Sequence, residues 1–139
     1  AFSNANKGFF SLQDFAEHKN TWDPPVSVDY RGYKVWELPP NGQGIAALEM
    51  LQILKQHDLK SLGWGTPDYL HLLIEAKKLA YADRARYYAD PTFVAVPVAE
   101  LISEEYALKQ NARINMQKAA TDIPPGDPRP GQADTIYLC

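Results

Sequence analysis

The stretch TPDYLHLLIEAKKLAYADRARYYAD, residues 66–90, carries the clearest structural instruction in the chain. Thr66 offers a hydroxyl to a free N–H of a first helical turn. Pro67 stands where its missing donor is harmless, and Asp68 puts a negative charge near the positive helix end. Leu72, Leu73, Ala76, Leu79, Ala80 and Tyr87 then recur at helical spacing until Asp90-Pro91 stops the pattern. The spacing predicts a helix of roughly 20 residues.

The flanking segments supply partners for its apolar side. Downstream of Pro97 a helical tract is predicted from about Val98 through Ile114, with Leu101, Ile102, Tyr106 and Leu108 as core positions. Upstream, Ile45, Ala46, Ala47, Leu48, Met50, Leu51, Ile53 and Leu54 are apolar on nearly every side, which fits a helix packed on more than one surface. Pro39-Pro40-Asn41-Gly42-Gln43-Gly44 leads into it, rigid first and permissive after. This loop lacks the lysine of a P-loop and the full glycine fingerprint of a dinucleotide site, so it reads as a tight connection docking a helix. Further upstream, Val26, Val28 and Tyr30 alternate with polar residues, Arg31-Gly32 interrupts, and Tyr33, Val35 and Glu37 continue: a hairpin with Gly32 at positive φ. Ser11-Leu12-Gln13-Asp14 has capping-box spacing for a short helix through about His18.

Composition bounds the function. The chain has 139 residues, 45% apolar and 22% charged, typical of one folded domain. A net charge of −3 gives nucleic acid and anionic membranes little electrostatic purchase, so neither is expected as a partner. Cys139 is the single cysteine, so neither an internal disulfide nor a cysteine-based zinc site can form within the chain. Charged residues interrupt every apolar stretch well before the ~18 residues of a membrane span. Residues 1–10 lack the cationic start and apolar middle of a secretion signal, although the chain does not begin with Met; a soluble protein, cytoplasmic or periplasmic, is expected.

Four groups of residues invite a chemical reading. His71 and Glu75 are four apart with Asp83 two turns on, but a second histidine is missing, so a surface hydrogen bond or weak ion pair is expected instead of a metal site. The run from Tyr81 to Pro91 predicts local ion pairs among Asp83, Arg84 and Arg86, with tyrosines covering the helix edge. After Ala120, Pro124, Pro125, Pro128 and Pro130 interleave with Gly126 and Gly131, which is the composition of an extended, mobile linker. Last comes Thr135-Ile136-Tyr137-Leu138-Cys139, the beginning of a buried strand. A threonine there is ordinary for a strand. If Asp134-Thr135 is a cleavage point, Thr135 becomes an N-terminal nucleophile with its own α-amine as base.

The order of short motifs resembles the end of the large subunit of a γ-glutamyltranspeptidase. They are Phe10-Ser11-Leu12-Gln13-Asp14-Phe15, Tyr30-Arg31-Gly32-Tyr33, Glu37-Leu38-Pro39-Pro40-Asn41-Gly42-Gln43-Gly44-Ile45, and His71 with Glu75-Ala76. Ala80-Tyr81-Ala82-Asp83-Arg84, Asp90-Pro91 with Phe93-Val94, and Val96-Pro97-Val98 complete the series. The resemblance implies a precursor of the N-terminal nucleophile hydrolase type, an αββα sandwich that cleaves itself before a threonine. Thr135 matches that threonine. Ile136 stands where common transpeptidases have a second threonine, and Asn41-Gly42-Gln43-Gly44 replaces their serine-rich glycine loop, so the chain looks closer to the acylase-like branch.

The expectations that follow are specific. The fold class is α+β, mostly helical with a hairpin and a terminal strand. Residues 1–118 form the helical and hairpin part of the large subunit, 119–134 a pre-cleavage linker, and 135–139 the start of the small-subunit nucleophile strand. The resemblance implies glutathione or another γ-glutamyl compound as substrate, the small subunit of the same precursor as partner, and no cofactor or metal; the carboxylate-binding and oxyanion residues lie outside this segment, which alone should be inactive. Apolar faces of the helix after Gly44 should stay exposed or associate with another chain. The alternatives are a related acylase with a different acyl group, or a helical interaction module indifferent to Thr135.

Overall fold

In the computed structural model, which describes residues 2–129, Thr66 caps the long helix as its sequence demands. Its Oγ1 accepts the Tyr69 N–H at 3.3 Å and donates to the Leu62 carbonyl at 2.8 Å, tying the helix start to the preceding turn. The element order is α1 (Phe2–Ala5), α2 (Leu12–Glu17), β1 (Val26–Tyr30), β2 (Tyr33–Glu37), α3 (Gly44–Leu54), α4 (Leu59–Leu62), α5 (Pro67–Tyr87), α6 (Val98–Leu101) and α7 (Glu104–Asn111). The regular elements among the described residues are thus mostly helices with one antiparallel hairpin, an α+β arrangement. The terminal strand expected at 135–139 lies outside the described residues.

Helix α3 is the centre of the packing, set against α5, α7 and both strands. One apolar cluster joins Ile53 and Leu54 of α3 to Leu72, Ala76 and Leu79 of α5 and Ala107 of α7. A second joins Ile45, Leu101 and Tyr106, with Val26, Val96 and Val98 at its margin. Burying each such aliphatic side chain contributes about 1.5–3 kcal/mol. The faces of α3 are therefore covered from within the chain, contrary to the expectation that they would stay exposed. Exposed large apolar side chains include Phe9, Phe10, Leu12, Phe15 and Trp22 near the N-terminus, and also Tyr33, Trp36, Leu38, Trp64 and Phe93.

The hairpin registers Val26 with Glu37 and Tyr30 with Tyr33. Both turn residues have positive φ, Arg31 at 51° and Gly32 at 87°, where the sequence suggested only the glycine. Two positive values are what a tight hairpin turn of matching twist requires. Arg31 is held there by its own side chain, which donates to the His57 carbonyl and lies 5.3 Å from the Tyr30 ring centroid. Gly44 is needed for close approach, because a Cβ there would come within 2.9 Å of the Glu37 Cβ. The tract predicted over 98–114 is two helices, not one. Ser103 breaks it by turning its hydroxyl to the Tyr106 N–H at 3.1 Å as an N-cap, and this re-phases α7 so that Leu108 faces solvent while Tyr106 and Ala107 are buried.

Candidate functional site

Helix α5 carries two acidic residues, Glu75 and Asp83, on the same buried stripe as Leu72, Ala76, Leu79 and Ala80. Eight residues apart, they project to one side two turns from each other. Neither stays unpartnered, because a buried carboxylate without donors is costly.

Asp83 is fully buried. Its Oδ2 accepts from the Tyr106 hydroxyl at 2.7 Å and from the Gln110 amide, both on α7. Its Oδ1 accepts the Gly126 N–H at 2.7 Å. Gln110 also donates to the Tyr106 oxygen at 2.9 Å, and its own carbonyl accepts from Arg113 at 2.6 Å. Burial pushes the Asp83 carboxyl above its ordinary value, while the three donors pull the other way. Burial and the neighbouring carboxylate also push the Tyr106 hydroxyl far up, so it remains a donor. The ion pairs expected between Asp83 and Arg84 or Arg86 do not form, because the Asp83 position on the helix points into the core.

Glu75, also buried, accepts from Lys78 Nζ at 2.7 Å and from the Ala120 N–H at 3.3 Å. Burial raises its pKa, but Lys78, the Ala120 N–H and nearby His71 outweigh that, and the net shift is downward. His71 does not bond Glu75; its Nε2 pairs with the Asn115 carbonyl at 2.9 Å. The surface pair expected from their spacing is replaced by two separate links to the chain after α7.

A third acid, Glu49 on α3, accepts from the Tyr88 hydroxyl at 2.5 Å. Burial, with a smaller contribution from the Asp83 charge, pushes its pKa up to about 8. Burial and Glu49 in turn raise the Tyr88 hydroxyl. Sequence reasoning passed over Glu49 and Gln110, and took Tyr106 only as a core position and Gly126 only as part of the linker. The available signal was Glu49 between Leu48 and Met50, and Asp83 at helical spacing from Leu79 and Ala80: carboxylates inside apolar stripes.

Donors and acceptors on α5, with Arg113 just past α7, converge on the segment after α7, which composition suggested would be a mobile linker. Over residues 120–129 it is docked instead, and residues 130–134 of the expected linker lie outside the described residues. Lys78 donates to the Ala120 carbonyl at 2.8 Å, Arg113 to the Pro124 carbonyl at 2.5 Å, and Tyr87 to the Gly126 carbonyl at 2.6 Å. Ile123 packs on the main core and Pro128 is buried. Composition missed this because the polar partners sit on distant helices.

A cleft of about 560 Å³ lies beside the loop before α3, lined by Pro24, Val26, Pro39, Pro40, Asn41 and Asp90 among others. Its carboxylates are already engaged: Asp90 accepts the Thr92 hydroxyl and N–H, which hold its pKa down, and Asp23 accepts from Thr21. Among the described residues no group of three or more His, Cys, Asp or Glu could hold a metal, and no helix is long and apolar enough to cross a membrane. Thr135, the nucleophile expected from the sequence, lies outside the described residues, nine positions beyond Gly126.

Comparison with known proteins gives concordant results. The sequence model of the gamma-glutamyltranspeptidase family matches residues 1–139. Acylase ACY 1 proenzyme of Pseudomonas sp. (strain SE83) is 44% identical over 116 residues, covering 83% of this chain and 21% of its own length. Glutathione hydrolase proenzyme of Escherichia coli (strain K12) is 38% identical over 132 residues, covering 93% and 23%. The crystal structure of the Helicobacter pylori gamma-glutamyltranspeptidase superposes with a TM-score of 0.80 at 35% identity, covering 86% of this chain and 35% of that one. The chain spans less than a quarter of the length of these curated relatives.

Proposed function

Since this chain belongs to the gamma-glutamyltranspeptidase family, we propose that it is the end of the large subunit, and the first residues of the small one, of a self-cleaving amide hydrolase or acyltransferase. In this reading the precursor breaks between Asp134 and Thr135. The freed Thr135 Oγ attacks the carbonyl of a γ-glutamyl amide, its proton passes to the Thr135 α-amine, and that amine delivers it to the departing nitrogen. The acyl ester left on Thr135 then passes to water or to an acceptor amine. An α-amine of ordinary pKa near ~8 suits proton transfer close to neutrality. While Asp134-Thr135 is intact that nitrogen belongs to an amide and cannot act as base.

The observation that carries this reading is the family match through residue 139, which takes in Thr135, together with relatives named as proenzymes. The docked segment 120–129 agrees with it, because a bond that must be cut at one place needs a chain held in one place. In the full precursor, Thr135→Ala is expected to leave a single chain that does not turn over a γ-glutamyl anilide. Full turnover by that variant refutes the mechanism. The 139 residues alone should be silent, since most of the relatives' length is not in them.

A second reading within the same chemistry is a different acyl group. It is favoured by the 44% identity to an acylase against 38% for a glutathione hydrolase, and by Ile136 and the Asn41-Gly42-Gln43-Gly44 loop. Assaying the full protein on a γ-glutamyl anilide and on the matching anilide without the α-amino group separates the two.

A further inference from the structure

The Asp83, Tyr106 and Gln110 side chains are buried, and the cluster they form is assembled from three separate parts of the chain. Two helices supply the carboxylate, the hydroxyls and the amide. The third part is the backbone of Gly126, gripped on both sides: its N–H by Asp83 and its carbonyl by Tyr87. We propose that Asp83 and Tyr87, with Tyr106 and Gln110 behind them, are positioning residues for self-cleavage: they clamp Gly126 and so shorten the tether that carries the Asp134-Thr135 bond. This deepens the reading above and rests on it.

The residue at the grip is chosen for it. A Cβ on Gly126 would overlap the Tyr106 hydroxyl and approach its Cζ to 2.9 Å and the Gln110 Nε2 to 3.0 Å. Gly126 has no positive φ to require glycine, so the close approach alone explains it. Below the clamp, Lys78 and Glu75 on Ala120 and Arg113 on Pro124 keep the same segment in line.

The reach of the chain sets the size of the effect. Thr135 lies nine positions beyond Gly126, a stretch that spans at most ~30 Å fully extended. If Gly126 lets go, the tether grows to 11 positions while Arg113 still holds Pro124, and to 15 if Ala120 is the last anchor. Local concentration falls roughly as the −3/2 power of tether length, so the scissile bond visits its cleavage geometry about 1.4- to twofold less often. Any loss of orientation adds to that.

The test is a time course of self-cleavage in the full-length precursor, read by mass, for wild type, Tyr87→Phe and Gly126→Ala, with Thr135→Ala as the uncleaved reference and unfolding temperatures measured alongside. Tyr87→Phe keeps its ring and loses only the hydroxyl that donates to the Gly126 carbonyl, so its unfolding temperature should stay near wild type while it cleaves about 1.4- to twofold more slowly. Gly126→Ala sets a methyl against the Tyr106 hydroxyl and Cζ and the Gln110 amide, so it should cleave at least as slowly and also unfold at a lower temperature. A purely structural role predicts no slowing in Tyr87→Phe at an unchanged unfolding temperature. Wild-type rates in Tyr87→Phe overturn the clamp while leaving the proposed chemistry standing. A wild-type precursor never cut before Thr135 overturns that chemistry and the clamp with it.

Discussion

Replacing Glu49 by Gln should stabilise the protein, and by an amount that depends on pH. Glu49 is 3% exposed on α3, and among the described residues its side-chain hydrogen-bond partner is the Tyr88 hydroxyl at 2.5 Å. Burial lifts its pKa from 4.5 to about 8, so the folded state holds the proton more tightly than the unfolded chain does. Below pH 4.5 both states are protonated and the residue contributes no pH dependence. As pH rises from 4.5 towards 8, the unfolded chain releases the proton while the fold retains it, and stability falls by about 1.4 kcal/mol per unit. At pH 7 the accumulated cost is on the order of 3 kcal/mol. Glutamine is neutral throughout and keeps a carbonyl for Tyr88, so Glu49→Gln removes that cost. Urea unfolding of both proteins at pH 5, 6, 7 and 8 measures it: the advantage of the variant should be small at pH 5 and grow to roughly 3 kcal/mol by pH 7. An advantage that is the same at every pH, or a variant less stable at pH 8, would show that Glu49 is ionised at little cost and that the argument from burial is wrong.

Two further substitutions probe the frame that holds the cluster. Leu72→Ala empties a fully buried position between α5 and α3 and should cost about 2–5 kcal/mol, read as a lowered urea midpoint with an unchanged slope; a loss under 1 kcal/mol would mean the clusters are not packed as described. Gly32→Ala meets no atom within 4 Å but must adopt φ of 87°, so it should cost about 1–2 kcal/mol, with Gly32→Asn milder; equal stability for all three would place the turn elsewhere.

The parts of the fold written in local chemistry could be read from the sequence. Thr66-Pro67-Asp68 starts a helix because a hydroxyl, a ring and a charge within three residues satisfy a helix end, and α5 begins at Pro67 and runs 21 residues. The Ser11 to Asp14 capping box closes as its spacing predicts, with the Ser11 N–H 2.6 Å from the carboxylate. What depended on residues far apart in the chain could not be read the same way. Asp83 looked like a surface ion-pair partner because Arg84 and Arg86 are its neighbours in sequence; its actual donors are 23, 27 and 43 positions away. Segment 120–129 looked like free linker because its own residues offer little apolar surface, whereas what holds it is on α5 and α7. Leu108 looked like core because Ser103 was read as helix interior and not as a cap that resets the phase.

The most direct trial of the central claim is the mass of the chains in the purified full-length protein. The account predicts two polypeptides, the second beginning at Thr135 with a free amine. An active protein that remains one polypeptide, or whose second chain begins at any other residue, contradicts it.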